Sequence, residues 1–291
     1  MDRVTVLKIH EAYIKADEKE LERLWCEESP RTLIKFYPGR YESDGTNYFL
    51  DNLRNSKIWL SSPLYFNDPF DCAINYDFET EAIWHSQYIL KLLIGESEAR
   101  KILDSEIAKP TLCIVEEIMK KHMSEPLKKF ENSMRVACFS EPDNLTSLIM
   151  WSHYADSHSG VCVEYDFETV KNVVPTACIP VKYTDSYRYS IDPKNSEEEV
   201  ANFFKMYTKS TEWEYEKEWR VSIQVENVLE RGRAIPIGVP KRIYLGCRIK
   251  NRLKEDVTRF CHDNKIELYQ MKLVPGSFYL DYERVCADSW R

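Results

Sequence analysis

From Glu216 to Val225 the chain reads with a period of two. Trp219, Val221, Ile223 and Val225 fall on one face, and Glu216, Glu218, Arg220, Ser222 and Gln224 on the other. That period belongs to a strand with one buried face. It is the cleanest strand in the sequence, and it constrains the fold. A sheet must take Trp219 into a core while its other face carries two carboxylates and a guanidinium. Glu216 and Glu218 then lie on the same polar face, about 7 Å apart along the strand.

Shorter signals surround it. Leu33 to Tyr37 and Lys57 to Ser61 read as strands, stopped by Pro38-Gly39 and by Pro63. Arg135 to Ser140 reads as another. Val161, Val163, Tyr165 and Phe167 alternate with Cys162, Glu164 and Asp166, the pattern of a half-buried strand. Val181 to Tyr183, Ile243 to Leu245 and Ile266 to Leu273 add short strands. Helical patterns cover residues 8–28, with Ile14, Leu21, Leu24 and Trp25 on the apolar side, then 47–55, most of 79–131, 196–212 and 251–263. Pro110 and Pro126 are expected to break or start helices in the third of these. Asp143 or Asn144 is expected to cap a helix running to about Ser157, with Gly160 as its stop. Strands and helices interleave irregularly, which predicts an α+β fold: central mixed or antiparallel sheets with flanking helices. Residues 1–291 are read as a single domain, with 1–30 as an N-terminal helical extension and 79–131 as a helical insert.

Composition narrows the function classes. The net charge is −8, so a broad nucleic-acid surface finds no support. No apolar run is long enough for a membrane span, and the first residues lack a signal-peptide pattern. There are 9 Cys, without any Cys-x-x-Cys. Reduced core thiols in a cytoplasmic protein are expected rather than a disulfide framework or a metal cluster. Gly-x-Gly-x-x-Gly, Walker and Gly-x-Ser-x-Gly motifs are all missing.

Three motif blocks stand out. The first is Ile58-Trp59-Leu60-Ser61-Ser62-Pro63 followed by Phe66-Asn67-Asp68-Pro69-Phe70-Asp71. The second is Cys138-Phe139-Ser140, then Met150-Trp151-Ser152-His153-Tyr154-Ala155-Asp156 and His158 to Tyr165. The third is Lys209, then Trp213-Glu214-Tyr215-Glu216-Lys217-Glu218-Trp219-Arg220. Together they resemble the bacterial family called domain of unknown function 2971, and Lys35-Phe36-Tyr37 resembles that family's opening Lys-Tyr strand with Phe inserted. The resemblance spans about residues 33 to 250, and the family label implies no reaction.

The order of elements, and Glu216-x-Glu218 on a strand, also resemble the ADP-ribosyltransferase superfamily. That likeness implies NAD as a possible substrate. Glu218 would stabilise the ribose cation as nicotinamide leaves, and Glu216 would orient the acceptor. Tyr37 and Ser61 would hold the nicotinamide ribose or ring, and Arg220 would pair with a carboxylate or diphosphate. Lys35 stands where that superfamily has Arg or His.

The residues themselves leave alternatives open. Glu218 and Arg220 also suit a solvated strand face. Asn67-Asp68-Pro69-Phe70-Asp71 is either a rigid turn or a loop presenting Asp68 or Asp71 to a ligand. His153 is either structural or a base, and with Tyr154 it would close a cleft. Trp213, Tyr215 and Trp219, with Trp151 and Trp59, are either packed rings or a platform for a base. The functional expectation is an enzyme that transfers ADP-ribose from NAD to an unknown acceptor, without a metal. The alternative is a non-catalytic module that senses a small ligand such as a nucleotide, in phage defence or a stress response. A metal-dependent nuclease using Asp68, Asp71, Glu216 and Glu218 is the weaker third.

Overall fold

A computed structural model describes residues 1–72, 78–174, 178–185 and 206–285. Strands β1 (Thr32–Tyr37), β2 (Lys57–Ser61), β3 (Met134–Ser140), β4 (Val161–Asp166), β8 (Glu218–Gln224), β10 (Arg242–Leu245) and β11 (Glu267–Leu273) match the expected ones closely. Strand β6 (Lys182–Tyr183) lies within the expected Val181 to Tyr183 strand and pairs with β7 (Thr208–Lys209), while β5 (Cys178–Pro180) adds a strand just before it. Strands β9 (Gly232–Pro236) and β12 (Leu280–Arg284) complete the set.

The fold is mixed α+β. Its main sheet runs β12-β11-β10-β4-β1-β3-β2-β9, with β8 between β3 and β5. Only β10 and β11 are parallel in that sheet; the other described pairs are antiparallel. The sheet forks at β3. One edge of β3 pairs fully with β8. The other is shared: β1 meets it through Ile34 and Ser140, β2 through Ser61 and Val136. The segment of that edge around Cys138 therefore faces neither strand.

The N-terminal segment forms α1 (Arg3–Ile14) and α2 (Glu18–Glu28), capped by the side chains of Asp2 and Asp17. Ala16, at a φ of 50°, breaks the expected continuous helix. These residues extend the fold only in sequence, since Ile9, Leu21, Leu24 and Trp25 are buried in the main core. That core also holds Leu33, Ile58, Leu60, Val136, Phe139, Trp219 and Val221. Helix α3 (Tyr48–Arg54) is capped by Asn47. The segment expected as an insert forms α4 (Phe78–Ile94), α5 (Glu96–Leu103) and α6 (Ala108–Ser133), which pack mostly on one another. Pro110 lies in the first turn of α6, where no hydrogen bond is lost. The helix continues through position 126, so the expected break there does not occur.

After β3 the chain departs from expectation. Pro142–Thr146 is a 3-10 turn, and Ser147 rather than Asp143 or Asn144 caps α7 (Leu148–Tyr154). The Asn144 amide is already committed to the carbonyls of Tyr215 (2.9 Å) and Glu216 (2.7 Å). Helix α7 ends at Tyr154, and Asp156, Ser157 and His158 follow at φ of 47°, 54° and 69°. Gly160 is not the stop. A Cβ there would lie 2.1 Å from the Tyr37 carbonyl oxygen, so the residue permits close approach to β1. Strand β4 is covered on both faces: Val161, Val163 and Tyr165 enter the main core, and Cys162 enters a second one with Ile34, Phe36, Met150 and Trp151. Helix α7 makes the difference, because it closes the face expected to meet water.

Helix α8 (Phe167–Lys171) follows β4, and α9 (Asn251–Asp263) packs against α3 and β11. Of the helix expected over 196–212, residues 196–205 lie outside the described ones. Its remainder runs into β7 and a 3-10 turn, Thr211–Glu216. Among the described residues, no helix is long and apolar enough to cross a membrane.

Candidate functional site

The fork beside β3 opens into a cleft of about 180 Å³. Strand β1 supplies Ile34, Lys35 and Phe36, and β3 supplies Cys138, Phe139 and Ser140. The turn after β2 brings Phe66, Asn67 and Asp71. Met150 and Tyr154 come from α7, Lys209 from β7, and Glu216 and Glu218 from either side of the last junction.

That junction decides the local geometry. Glu216 ends the 3-10 turn, Lys217 takes a left-handed conformation with φ 45° and ψ 53°, and β8 begins at Glu218. The expected strand thus starts two residues late, and Trp213 and Tyr215 belong to the turn rather than to a strand edge. Left-handed geometry at a residue with a Cβ costs about 1 kcal/mol. It turns Glu216 and Glu218 toward the same ammonium.

Lys209 holds three carboxylates. Its Nζ lies 2.6 Å from Glu216, 3.2 Å from Glu218 and 3.2 Å from Asp71. Arg220, fully buried, clamps Glu218 from Nε (2.7 Å) and Nη2 (2.9 Å), and donates from Nη2 to Asp71 at 2.8 Å. Its Nη1 donates to the Met206 carbonyl (2.7 Å) and contacts the Cys72 sulfur (3.1 Å). Tyr154 donates its hydroxyl to Glu216, and the Glu218 amide donates to the Tyr183 hydroxyl at 2.8 Å.

Three buried carboxylates around two buried cations cannot all ionise at equal ease. Burial pushes Glu218 up, but Arg220 and Lys209 reverse this and hold it well below the usual carboxylate range. Burial also opposes the charge on Lys209, yet Glu218 and Asp71 keep its pKa above the ordinary value. Glu216 is the group left over. Burial and the neighbouring Glu218 charge push it up to about 7, against the pull of Lys209 and Tyr154.

Lys35 stands apart. Its ammonium donates to the Cys138 carbonyl at 2.8 Å, in the gap of the fork, and lies 5.6 Å and 5.7 Å from the Tyr37 and Phe139 ring centres. Burial lowers its pKa.

Of the residues singled out in sequence, Lys35, Asn67, Asp71, Tyr154, Glu216 and Glu218 meet in the cleft. The others do not line it. Arg220 sits behind Glu218 with its guanidinium occupied, so it is closed to a diphosphate. Tyr37 packs on Phe49, with ring centres 4.8 Å apart. Ser61 pairs with Val136 and Gly232 in the sheet. Asp68 accepts from the Phe70 amide at 2.9 Å, which makes Asn67 to Asp71 a turn that points Asp71 inward. Trp151 is fully buried, donates to the Leu145 carbonyl at 2.6 Å and stands edge-on to Phe36. It is a core residue rather than a ring platform. His153 is exposed, with Nδ1 3.3 Å from the Tyr215 hydroxyl, outside the cleft. It is therefore no base for chemistry inside.

Sequence reasoning put Lys209 in a motif block but gave it no role. A buried lysine requires a carboxylate partner, and nothing in its neighbours' spacing reveals one. Cys138, Ser140, Phe66 and Phe139 likewise stood in motif blocks without a role, because the fork that exposes them is a property of strand pairing.

Residues 150–221 match the model of a family described as a protein of unknown function, DUF2971. The match bears out the resemblance over the second motif block from Met150 onward and over the third, and it includes Tyr154, Lys209, Glu216, Glu218 and Arg220. No curated protein and no solved structure matches the chain.

Proposed function

We propose that the cleft is the active site of an enzyme that transforms a small molecule by proton transfer at Glu216. One observation carries the reading. Glu216 is a cleft-lining carboxylate poised near neutral pH, between a hydroxyl donor and an ammonium, beside a second carboxylate that stays charged. Perturbed carboxyl groups in clefts mark general acids and bases, which work best when their pKa lies near the operating pH. The apolar wall of Ile34, Phe36, Phe66, Phe139 and Met150 suits a flat ring, and the volume matches: a cavity of about 150 Å³ takes one benzene.

The Glu216 and Glu218 pair in one cleft favours a specific version, ADP-ribosyl transfer from NAD. The bond between nicotinamide and ribose would break with its electron pair leaving on nicotinamide. The acceptor would then bond to the ribosyl carbon while its proton passes to Glu216. Glu218, clamped by Arg220, would supply the fixed negative charge that steadies the ribosyl cation. Ser61, Tyr37 and Arg220 take no part in it. A metal-dependent nuclease is disfavoured, because Lys209 fills the space between Asp71, Glu216 and Glu218 that a cation would need.

The test is a turnover screen of small metabolites, NAD among them, with wild type and Glu216→Gln. The expected result is a product whose rate rises with pH through about 7 and drops at least about a hundredfold in the variant. Nicotinamide release would identify the NAD version. Equal turnover by both proteins refutes the assignment. A ligand that raises the melting midpoint of both without turnover in either makes the cleft a sensing site instead.

A further inference from the structure

The charges of the cleft do not share their partners evenly. Lys209 contacts three carboxylates and Arg220 two, so Asp71 and Glu218 each meet both cations. Lys35 is different. Among the described residues no carboxylate lies within ion-pair distance of its ammonium. Its hydrogen bond goes to the Cys138 backbone carbonyl, which satisfies one of three N–H donors. A half-buried ammonium that faces a cleft with donors to spare is a ready counter-charge for an anion. The surroundings fix the rest of the ligand. Phe36, Phe66 and Phe139 offer apolar wall, and Ser140 and Asn67 offer hydrogen bonds. Glu216, shared between Lys209 and Tyr154, repels negative charge whenever it is ionised.

We propose that the cleft binds a small ring-bearing organic anion, with its carboxylate or phosphate group on the Lys35 ammonium and its ring against the phenylalanine wall. The inference rests on the reading of the cleft as a ligand site and adds the charge class of the ligand.

Three probes that share a phenyl ring separate the possibilities: benzoate, phenyl phosphate and neutral benzamide. Binding to the full chain is measured by calorimetry, with the melting midpoint of each variant as the folding control. Wild type is expected to bind at least one anion about tenfold or more tighter than benzamide, and the better anion identifies the head group. Lys35→Met is expected to abolish that preference while benzamide binding stays, and Lys35→Arg to keep it. The proposal is overturned if benzamide binds as well as both anions, or if Lys35→Met retains the preference. Should benzamide bind and neither anion, the anion site fails while the ligand cleft stands. If none of the three binds, both fail together.

Discussion

Lys209→Met tests the ionic cluster most directly, because it removes one of the two cations shared by three carboxylates. Below pH 7 Glu216 is protonated, so the loss falls on Asp71 and Glu218, which keep Arg220. Removing one partner of a buried pair costs about 3–5 kcal/mol, and the lower end applies where Arg220 still serves. Above pH 7 the variants diverge. In wild type, ionisation of Glu216 is complete soon after pH 7, so the penalty on its raised pKa stops growing. Without Lys209 the Glu216 carboxyl stays protonated to higher pH, while the unfolded chain is already ionised. Stability therefore keeps falling by about 1.4 kcal/mol per pH unit. Between pH 7 and 8.5 that adds up to about 2 kcal/mol, so the loss grows from about 3 kcal/mol near pH 6 to about 5 kcal/mol near pH 8.5. Urea unfolding at the two pH values measures it. Glu216→Gln in the Lys209→Met background should remove the increment, since no ionisable group is left to carry it. An equal loss at both pH values, or an increment that survives Glu216→Gln, would refute the account of Glu216 as the leftover carboxylate.

Two further outcomes follow from the same reasoning. His10 is buried with its Nε2 2.7 Å from the Pro180 carbonyl oxygen, and burial lowers its pKa from 6.5 to about 4. A depressed pKa in the folded state means stability is intact above pH 6.5 and lost as pH falls, by up to about 3 kcal/mol at pH 4; urea midpoints should show this slope and His10→Gln should flatten it. Tyr154→Phe removes the hydroxyl donor to Glu216, so the low-pH limb of turnover, or the carboxyl shift followed by NMR, should move up by roughly one unit, about the worth of a hydrogen bond to a charged group; an unchanged limb would show that the contact does not hold the carboxylate.

The elements visible in the sequence are those with a period. Strands β1, β3 and β4 and helix α3 carry alternation or a clear cap, and the structure places them close to where the sequence does. Each misplacement has its own physical cause. Asn144 looked like a helix cap, but its amide serves the carbonyls of Tyr215 and Glu216. Glu216 looked like a strand residue because the alternation passes through Lys217 without a Gly or Pro to mark the left-handed turn. Strand β9, bounded by Gly232 and Pro236 and only half-buried, has no pattern to detect. The site was half legible. Its carboxylates were visible as a pair, and Asp71 as part of a turn. Arg220 was visible beside Glu218, but Lys209 had no role, and its pairing with Asp71 across 138 positions leaves no trace in spacing.

The ionic cluster itself says little about stability. Well-packed apolar groups of the same volume often do as well as a buried ion network or better. Its effect on the cleft is more specific. One knot ties the turn after β2, strand β7, the 3-10 turn and strand β8, and it holds the charge on Glu218, Lys209 and Arg220 through mutual contacts. Two charges on the cleft wall stay adjustable: Glu216, whose proton is poised near neutral pH, and Lys35, whose ammonium has no carboxylate of its own among the described residues. A ligand entering between them meets one group ready to exchange a proton and one ready to hold an anion. The fixed charges behind Glu216 keep its carboxyl from simply adopting its pKa in water. A cluster that merely held the fold together would have no need to leave those two groups, of opposite charge, facing the same opening.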